Sequence, residues 1–183
     1  MALIGYQYAE DLTKHFSRRD IPVPVFGLAE TIELPIQRHR FASQNICGIA
    51  VRQHDRYIIA VNSAHYISRQ KFSAAHELGH CLCHLEQGTR DVFGCTGNLL
   101  VSESLYERQA NAFAAELLMP RRFVLAAVAE GCDTVSSLAR MFGVSREATH
   151  WRLHTLKIHH DMGRDRIALP GHATVTARKA SSQ

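Results

Sequence analysis

A five-residue segment, HELGH at positions 76–80, combines two metal-binding side chains with a carboxylate. If the segment is helical, His76 and His80 lie on one face, about 6 Å apart along the axis at a rise of about 1.5 Å per residue. Two imidazoles in this arrangement can bind one zinc ion through ring nitrogens. Glu77 points near the ion without binding it, and it can accept a proton from water activated there. The segment therefore indicates a zinc-dependent hydrolase with one zinc ion in each chain.

A catalytic zinc site requires a third protein ligand and leaves a fourth position for water. Glu86 and His84 follow on the same helix, but three residues spread over two straight turns cannot all surround one ion. We therefore expect His84 to support the site from outside or to be packed. A later segment places Glu103, Glu107 and Asn111 at intervals of four beside an apolar face. Spacing alone does not choose between Glu103 and Glu107 as the third ligand.

Neighbouring residues of the HELGH helix have simpler interpretations. Gly79 costs about 1 kcal/mol of helix propensity relative to Ala, so we expect another backbone to approach closely there. Cys81 and Cys83 are two positions apart and face different directions, which predicts buried thiols rather than joint metal ligands. Outside this helix, His150 and His154 repeat the spacing of four without an adjacent glutamate, and they are predicted to pack or to lie on the surface.

Periodicity predicts an α+β protein in which a few strands precede many helices. The runs GIAVR and RYIIAV flank the polar turn QHD and predict an antiparallel hairpin, whereas Pro35 indicates an interrupted or edge strand. Two prolines in IPVPVFG, residues 21–27, predict extended chain after an N-terminal helix. The expected elements are a sheet region at about 30–62, an active helix at about 69–86, a glycine-rich loop at 88–101, a glutamate-bearing helix at about 103–119 and helices within 121–160. Residues 1–160 are expected to form one domain, followed by a flexible tail at 161–183.

Composition sets the broad class of the protein. The chain has 183 residues, of which 46% are hydrophobic and 21% charged, as in ordinary globular proteins. The sequence has no apolar run of about 18 residues, so it does not predict a membrane span. Its first residues do not resemble a secretory signal. Five cysteines without a C-x-x-C pair are typical of free thiols in a reducing compartment, so we expect a cytoplasmic protein.

Three blocks of the sequence resemble the ImmA/IrrE family of zinc metallopeptidases. They are RQKFSAAHELGHCLCH, ERQANAFAAELLMP and LARMFGVSREATHWRL, which occur in this order and span most of the chain. The resemblance implies a zincin-like fold, with a small antiparallel sheet packed against the active-site helix and a mostly helical C-terminal half. It also implies that His76, His80 and Glu107 are the zinc ligands and Glu77 the general base. Asn111 resembles the position from which thermolysin-like enzymes orient a zinc-bound histidine.

This resemblance also implies a substrate. Members of the family cleave or antagonise helix-turn-helix repressors, in mobile elements, stress responses and toxin–antitoxin-like settings. The expected function is therefore that of a zinc-dependent endopeptidase with a small DNA-binding repressor as its protein partner. An extended peptide could be bound by edge pairing with the strand RYIIAV or its neighbour.

Two alternatives come from other functional classes. Residues 134–157 resemble a helix-turn-helix, and from Arg140 onward eight Lys/Arg stand against three Asp/Glu. Arg146, Arg152 and Lys157 could then contact DNA phosphates in a zinc-containing regulator. The other alternative is a toxin or regulator that acts by binding alone. Glu77 argues against a purely structural zinc site, which has no use for a base.

Overall fold

The computed structural model describes residues 3–54, 56–85, 92–96 and 104–168. Seven α-helices and six strands occur in this part of the chain. In chain order they are α1 (Leu3–Thr13), α2 (Val25–Thr31), β1 (Ile36–His39), β2 (Ile46–Gln53), β3 (Arg56–Asn62), α3 (Ile67–His80), β4 (Val92–Thr96), α4 (Leu105–Leu118), α5 (Arg121–Ala129), α6 (Val135–Phe142), α7 (Arg146–Thr155), β5 (His160–Asp161) and β6 (Arg166–Ile167). A short 3-10 turn, Arg18–Asp20, precedes α2, and a π-helical segment, Cys81–Leu85, continues α3.

The predicted α+β class is confirmed, and the larger sheet has the order β1-β3-β2-β4. The predicted hairpin is present as antiparallel β2 and β3, with Val51 opposite Ile58. β1 lies at one edge, as Pro35 indicated, but it runs parallel to β3. The sheet is therefore mixed rather than purely antiparallel, because β1 pairs with β3 instead of with β2, its neighbour in sequence.

Two local predictions were wrong. Residues 92–96 were expected within a glycine-rich loop, yet they form β4, which pairs antiparallel with β2. Glycine content concealed the strand, although Phe93 is buried on its inner face. Residues 21–27 were expected to be extended throughout, but α2 begins at Val25 directly after Pro24. Proline is tolerated at a helix start, where the missing N–H would have no intrahelical partner.

The tail was expected to begin after residue 160 and to be flexible. Residues 160–167 instead form a two-stranded hairpin of β5 and β6, in which Ile167 is buried and its N–H donates to the Asp133 carbonyl at 2.7 Å. Residues 169–183 lie outside the described part of the chain.

Helix α3 is buried between the sheet and α4, so residues on several of its faces belong to the core. A Cβ atom at Gly79 would lie 3.0 Å from the Phe113 ring of α4. The close neighbour predicted at Gly79 is thus an aromatic side chain, and not another backbone. At Gly5 of α1, a Cβ would overlap the Gln109 carbonyl oxygen, which shows how closely α1 packs on α4.

In the helix-turn-helix-like segment, both helices, α6 and α7, lie within residues 134–157. α6 ends at Phe142 and is capped by Gly143, whose φ of 64° is left-handed, and Ser145 caps α7 by accepting from the Ala148 N–H. α7 is tied to the core by Arg152, which donates to the Met119 carbonyl at 2.9 Å and pairs with Glu116. Among the described helices, none is long and apolar enough to span a membrane.

Candidate metal centre

Three side chains from two helices converge at one point between α3 and α4. The Nε2 atoms of His76 and His80 are 3.0 Å apart, and they lie 3.0 and 3.2 Å from the two carboxylate oxygens of Glu107. Within the described ranges, this is the one group of three potential ligands whose atoms all lie within 4.8 Å of one another. Both histidines are fully buried, whereas Glu107 is 23% exposed. The group can hold a metal ion and remains open on the glutamate side.

Local and long-range geometry both contribute to this arrangement. The helical spacing of four places His76 and His80 on one face of α3. Glu107 comes from the first turn of α4, which packs across α3. Of the two glutamates that spacing left open, Glu107 meets the histidines; Glu103 lies outside the described residues, as does Glu86.

The donor set fits a metal ion of the zinc type. Two imidazole nitrogens and one carboxylate are a known catalytic combination for zinc, which takes such ligands at about 2.0–2.1 Å. Two ligands at that distance from one ion and at a tetrahedral angle are about 3.3 Å apart. The observed separations of 3.0–3.2 Å are close to this value. Little movement of the side chains is therefore needed to bind an ion.

The same three side chains influence one another electrostatically. Burial raises the pKa of Glu107, but the hydrogen bonds from His76 and His80 lower it more strongly. The pKa of Glu107 therefore lies well below its ordinary value. Burial lowers the pKa of His80 to about 4, despite the opposing effect of Glu107. For His76, burial is outweighed by the hydrogen bond to Glu107 and by the charge of Glu77, so that its pKa is raised. The ionised Glu107 and the neutral His80 match the state that metal binding requires, whereas the raised pKa of His76 opposes it.

Glu77 is fully buried beside the group of three, against strand β2. A Cβ atom at Gly48 would lie 2.8 Å from both Cγ and Oε1 of Glu77. The register between β2 and β4 shifts between Ile46 and Gly48, which marks a bulge at this position. Bulges often redirect a strand next to an active site. Gly48 was missed in the sequence, although a glycine inside a strand pattern is a signal of close approach.

The outer ring nitrogens of both histidines have defined partners. Nδ1 of His76 lies 2.9 Å from Oδ1 of Asn111, one turn beyond Glu107 on α4. Nδ1 of His80 lies 3.0 Å from Nδ1 of His84, whose Nε2 lies 2.9 Å from Oε1 of Gln109. His84 is thus in contact with the site without joining the group of three. Gln109 was missed, and nothing in its spacing distinguished it from other polar residues of α4.

Aromatic rings cover one side of the site. Phe93 of β4 stacks on His80 with 4.3 Å between ring centroids, and the Tyr106 ring meets both His84 and Phe93 edge-on. Phe93 was missed because residues 92–96 were predicted to be a loop. Tyr66, another tyrosine near the motif in sequence, is 88% exposed at the start of α3.

The basic residues of the helix-turn-helix-like segment are not all available to DNA. Arg152 is 1% exposed and is engaged by Glu116, so it cannot contact phosphates in this structure. Arg146 binds Asp165 and the Met162 carbonyl, while Lys157 is exposed. Among the other singled-out residues, Cys81 and Cys83 are buried free thiols.

His160 is half-buried at the start of β5. Its Nε2 lies 2.7 Å from Nδ1 of His150, and its Nδ1 lies 2.8 Å from the Ile158 carbonyl. His150 therefore packs against the β5–β6 hairpin, consistent with the packing or surface role predicted for it.

Comparison with known proteins agrees with this geometry. Residues 29–154 match the Peptidase_M78 family, described as the IrrE N-terminal-like domain. A solved structure of a Mycobacterium tuberculosis transcriptional regulator has a similar fold, with a TM-score of 0.58 and 19% sequence identity. That match covers 88% of this chain and 48% of the regulator, so this chain spans about half the regulator's length. No curated protein matches the sequence. The family match extends over more than half of the chain, which therefore belongs to the IrrE N-terminal-like family of metallopeptidase domains.

Proposed function

We propose that this chain is a zinc-dependent endopeptidase in which His76, His80 and Glu107 hold one zinc ion. The observation that carries the proposal is the meeting of these three side chains beside the buried carboxylate of Glu77. A purely structural zinc site usually fills all four positions with protein ligands. Among the residues that the structure describes, three ligands converge, and Glu107 is partly exposed on the side from which a substrate would enter.

Glu77 acts as the proton carrier in this proposal. When bound, the zinc ion supplies Lewis-acid chemistry, polarising the scissile carbonyl and acidifying water. Glu77 accepts the proton of the attacking water and then donates it to the leaving amine. Contact with Gly48 holds the carboxylate in place, because the absent Cβ is what makes room for it. Asn111 orients His76 through its amide oxygen.

The substrate binds in extended form along β4. We expected RYIIAV or a neighbouring strand to do this, but β3 lies inside the sheet, paired with both β1 and β2. β4 is the last strand of the sheet order on the side of the metal centre, where Phe93 stacks on His80. A peptide added to β4 would run past the histidines, with backbone hydrogen bonds supplying affinity.

The partner we propose is a small helix-turn-helix repressor, cleaved or antagonised in a mobile-element, stress-response or toxin–antitoxin-like setting. Its support is the family resemblance, together with the similar fold of a protein named a transcriptional regulator. Free thiols at Cys47, Cys81, Cys83 and Cys132 support activity in a reducing compartment such as the cytoplasm. We further propose that residues 1–160 act as one domain, supported by the packing of α1 on α4 and of Arg152 on Glu116.

A paired measurement tests the endopeptidase proposal. Purified protein is analysed for metal and incubated with purified small helix-turn-helix repressors, including any that is encoded next to its gene, and cleavage is followed by mass spectrometry. Glu77→Gln is expected to retain about one zinc ion per chain and to lose cleavage, whereas Glu147→Gln, an exposed glutamate on α7, should retain both. Undiminished cleavage by Glu77→Gln would refute the assigned proton carrier, and zinc-loaded wild-type protein that cleaves nothing would refute the endopeptidase.

A further inference from the structure

Two histidine rings meet outside the candidate metal centre, where α7 faces the β5–β6 hairpin. Nε2 of His160, the first residue of β5, lies 2.7 Å from Nδ1 of His150 on α7, and the two ring centroids are 4.8 Å apart. Both residues are half-buried, so solvent reaches this point. Neither histidine takes part in the proposed peptidase chemistry.

The ring of His160 is oriented by the backbone. Its Nδ1 lies 2.8 Å from the carbonyl oxygen of Ile158, and since a carbonyl can only accept, the Nδ1–H is the donor. In the neutral ring the other nitrogen, Nε2, therefore directs its lone pair toward Nδ1 of His150. Histidines that bind metal ions almost always donate their second ring N–H to a carbonyl, a carboxylate or water. His160 thus has the surroundings of a metal ligand.

The turn after α7 and the hairpin hold the two rings together. Lys157 has a φ of 58°, and Ile158 donates its N–H back to the Leu153 carbonyl at 2.9 Å, which reverses the chain at the end of α7. Arg146, also on α7, donates to Asp165 of the hairpin at 3.2 Å. The separation of the two ring nitrogens is therefore set by the packing of the hairpin on α7.

The distance between these nitrogens favours one class of ion. Two ligands about 2.0 Å from an ion at a right angle, as in the tetragonal geometry of Cu²⁺ and Ni²⁺, are about 2.8 Å apart. The tetrahedral angle typical of zinc requires about 3.3 Å. The observed 2.7 Å is close to the first value. We propose that His150 and His160 form a second metal site, which binds a divalent ion of tetragonal preference, Cu²⁺ or Ni²⁺, through these two nitrogens.

Water completes the coordination of an ion at this second site. Within the described ranges a single group of three potential ligands occurs, and it is the candidate metal centre. His150 and His160 therefore act as a pair, and an ion held by two protein ligands should exchange readily. Such an ion links α7 to the hairpin, so binding should raise the melting temperature of the chain.

Titration of the full-length chain with Ni²⁺, followed by calorimetry, tests this site. In a His76→Ala background, which weakens the candidate metal centre, we expect about one Ni²⁺ ion per chain. His150→Asn and His160→Asn should each weaken this binding about tenfold or more, because one of two imidazole ligands is lost. His154→Asn, at an exposed histidine one turn beyond His150, is the matched control and should leave the affinity unchanged.

The wild-type background provides a second measurement that does not need His76→Ala. There, His150→Asn should bind about one Ni²⁺ ion fewer per chain than the unaltered protein. Paramagnetic Cu²⁺ should also broaden the imidazole NMR signals of His150 and His160 at concentrations that leave the exposed His39 of β1 unaffected.

The inference is overturned if His150→Asn and His160→Asn both bind Ni²⁺ as the unaltered chain does. It is equally overturned if His154→Asn weakens binding as much as they do, since scattered surface histidines would then be responsible. Tighter binding of Zn²⁺ than of Ni²⁺ at this site would contradict the tetragonal class of ion. None of these measurements involves peptide cleavage, so their outcome does not depend on the endopeptidase proposal.

Discussion

Glu77 lies so close to Gly48 that no other residue type fits at position 48 without displacing the carboxylate. A Cβ there would approach Cγ and Oε1 of Glu77 to 2.8 Å and the Ala60 carbonyl oxygen to 3.1 Å. A helix residue and a strand residue separated by 29 positions in sequence thus depend on each other. The relationship connects the fold of the sheet directly to the position of the proposed proton carrier.

Gly48→Ala should therefore impair chemistry more than metal binding. The added methyl group pushes the Glu77 carboxylate away from its position, and a displacement of about 1 Å can cost about 100-fold in rate. We expect at least a tenfold fall in kcat for cleavage with an unchanged zinc content. Gly27→Ala on α2, where a Cβ would meet nothing within 4 Å, is the control. Wild-type kcat in folded Gly48→Ala would contradict the proposed importance of this contact.

Loss of a single ligand should empty the metal centre. His76→Ala and Glu107→Ala each leave two of the three converging atoms, and two ligands bind zinc far more weakly than three. Metal analysis after gel filtration should find about one zinc ion per wild-type chain and much less in either variant. His154→Ala, at an exposed histidine on α7, should retain the wild-type content. Full zinc content in both ligand variants would place the ion elsewhere.

Asn111 should act on the metal through His76. Asn111→Leu removes the acceptor for Nδ1–H of His76 and should weaken zinc binding by about 10–100-fold. Asn111→Asp keeps an acceptor oxygen at the same distance and should bind zinc at least as well as the wild type. Chelator competition measures both. Equal affinities of the Leu and Asp variants would argue against an orienting role.

The buried pair of Arg152 and Glu116 should matter for stability rather than for DNA binding. Arg152→Met leaves the Glu116 carboxylate buried without its counter-charge, which typically costs about 3–5 kcal/mol. Glu116→Gln in the same chain removes that charge and still accepts from the Arg121 N–H, so the double variant should recover much of the loss. Urea unfolding followed by circular dichroism measures the free energies. If Arg152→Met alone is as stable as the wild type, the pair contributes little to stability.

Patterns that depend on neighbours in sequence were predicted well. The hairpin of β2 and β3 and the edge position of β1 follow from alternation and a proline. The placement of His76 and His80 on one face of α3 is equally local, because it requires only a regular helix. Predictions based on glycine and proline content were less successful, since β4 and α2 form where those residues suggested irregular chain.

By itself, the sequence determined which residues could carry chemistry and the order in which they occur: HELGH on one helix, and Glu107 with Asn111 on a later one. Only the tertiary structure decided that Glu107 meets both histidines, that Gly48 accommodates Glu77, that Gln109 reaches His80 through His84, and that Arg152 is buried. The physical reason is the same in each case. Helical spacing is set by local backbone hydrogen bonds, whereas these contacts depend on how α3, α4, α7 and the sheet pack, and that packing is determined by many distant side chains together.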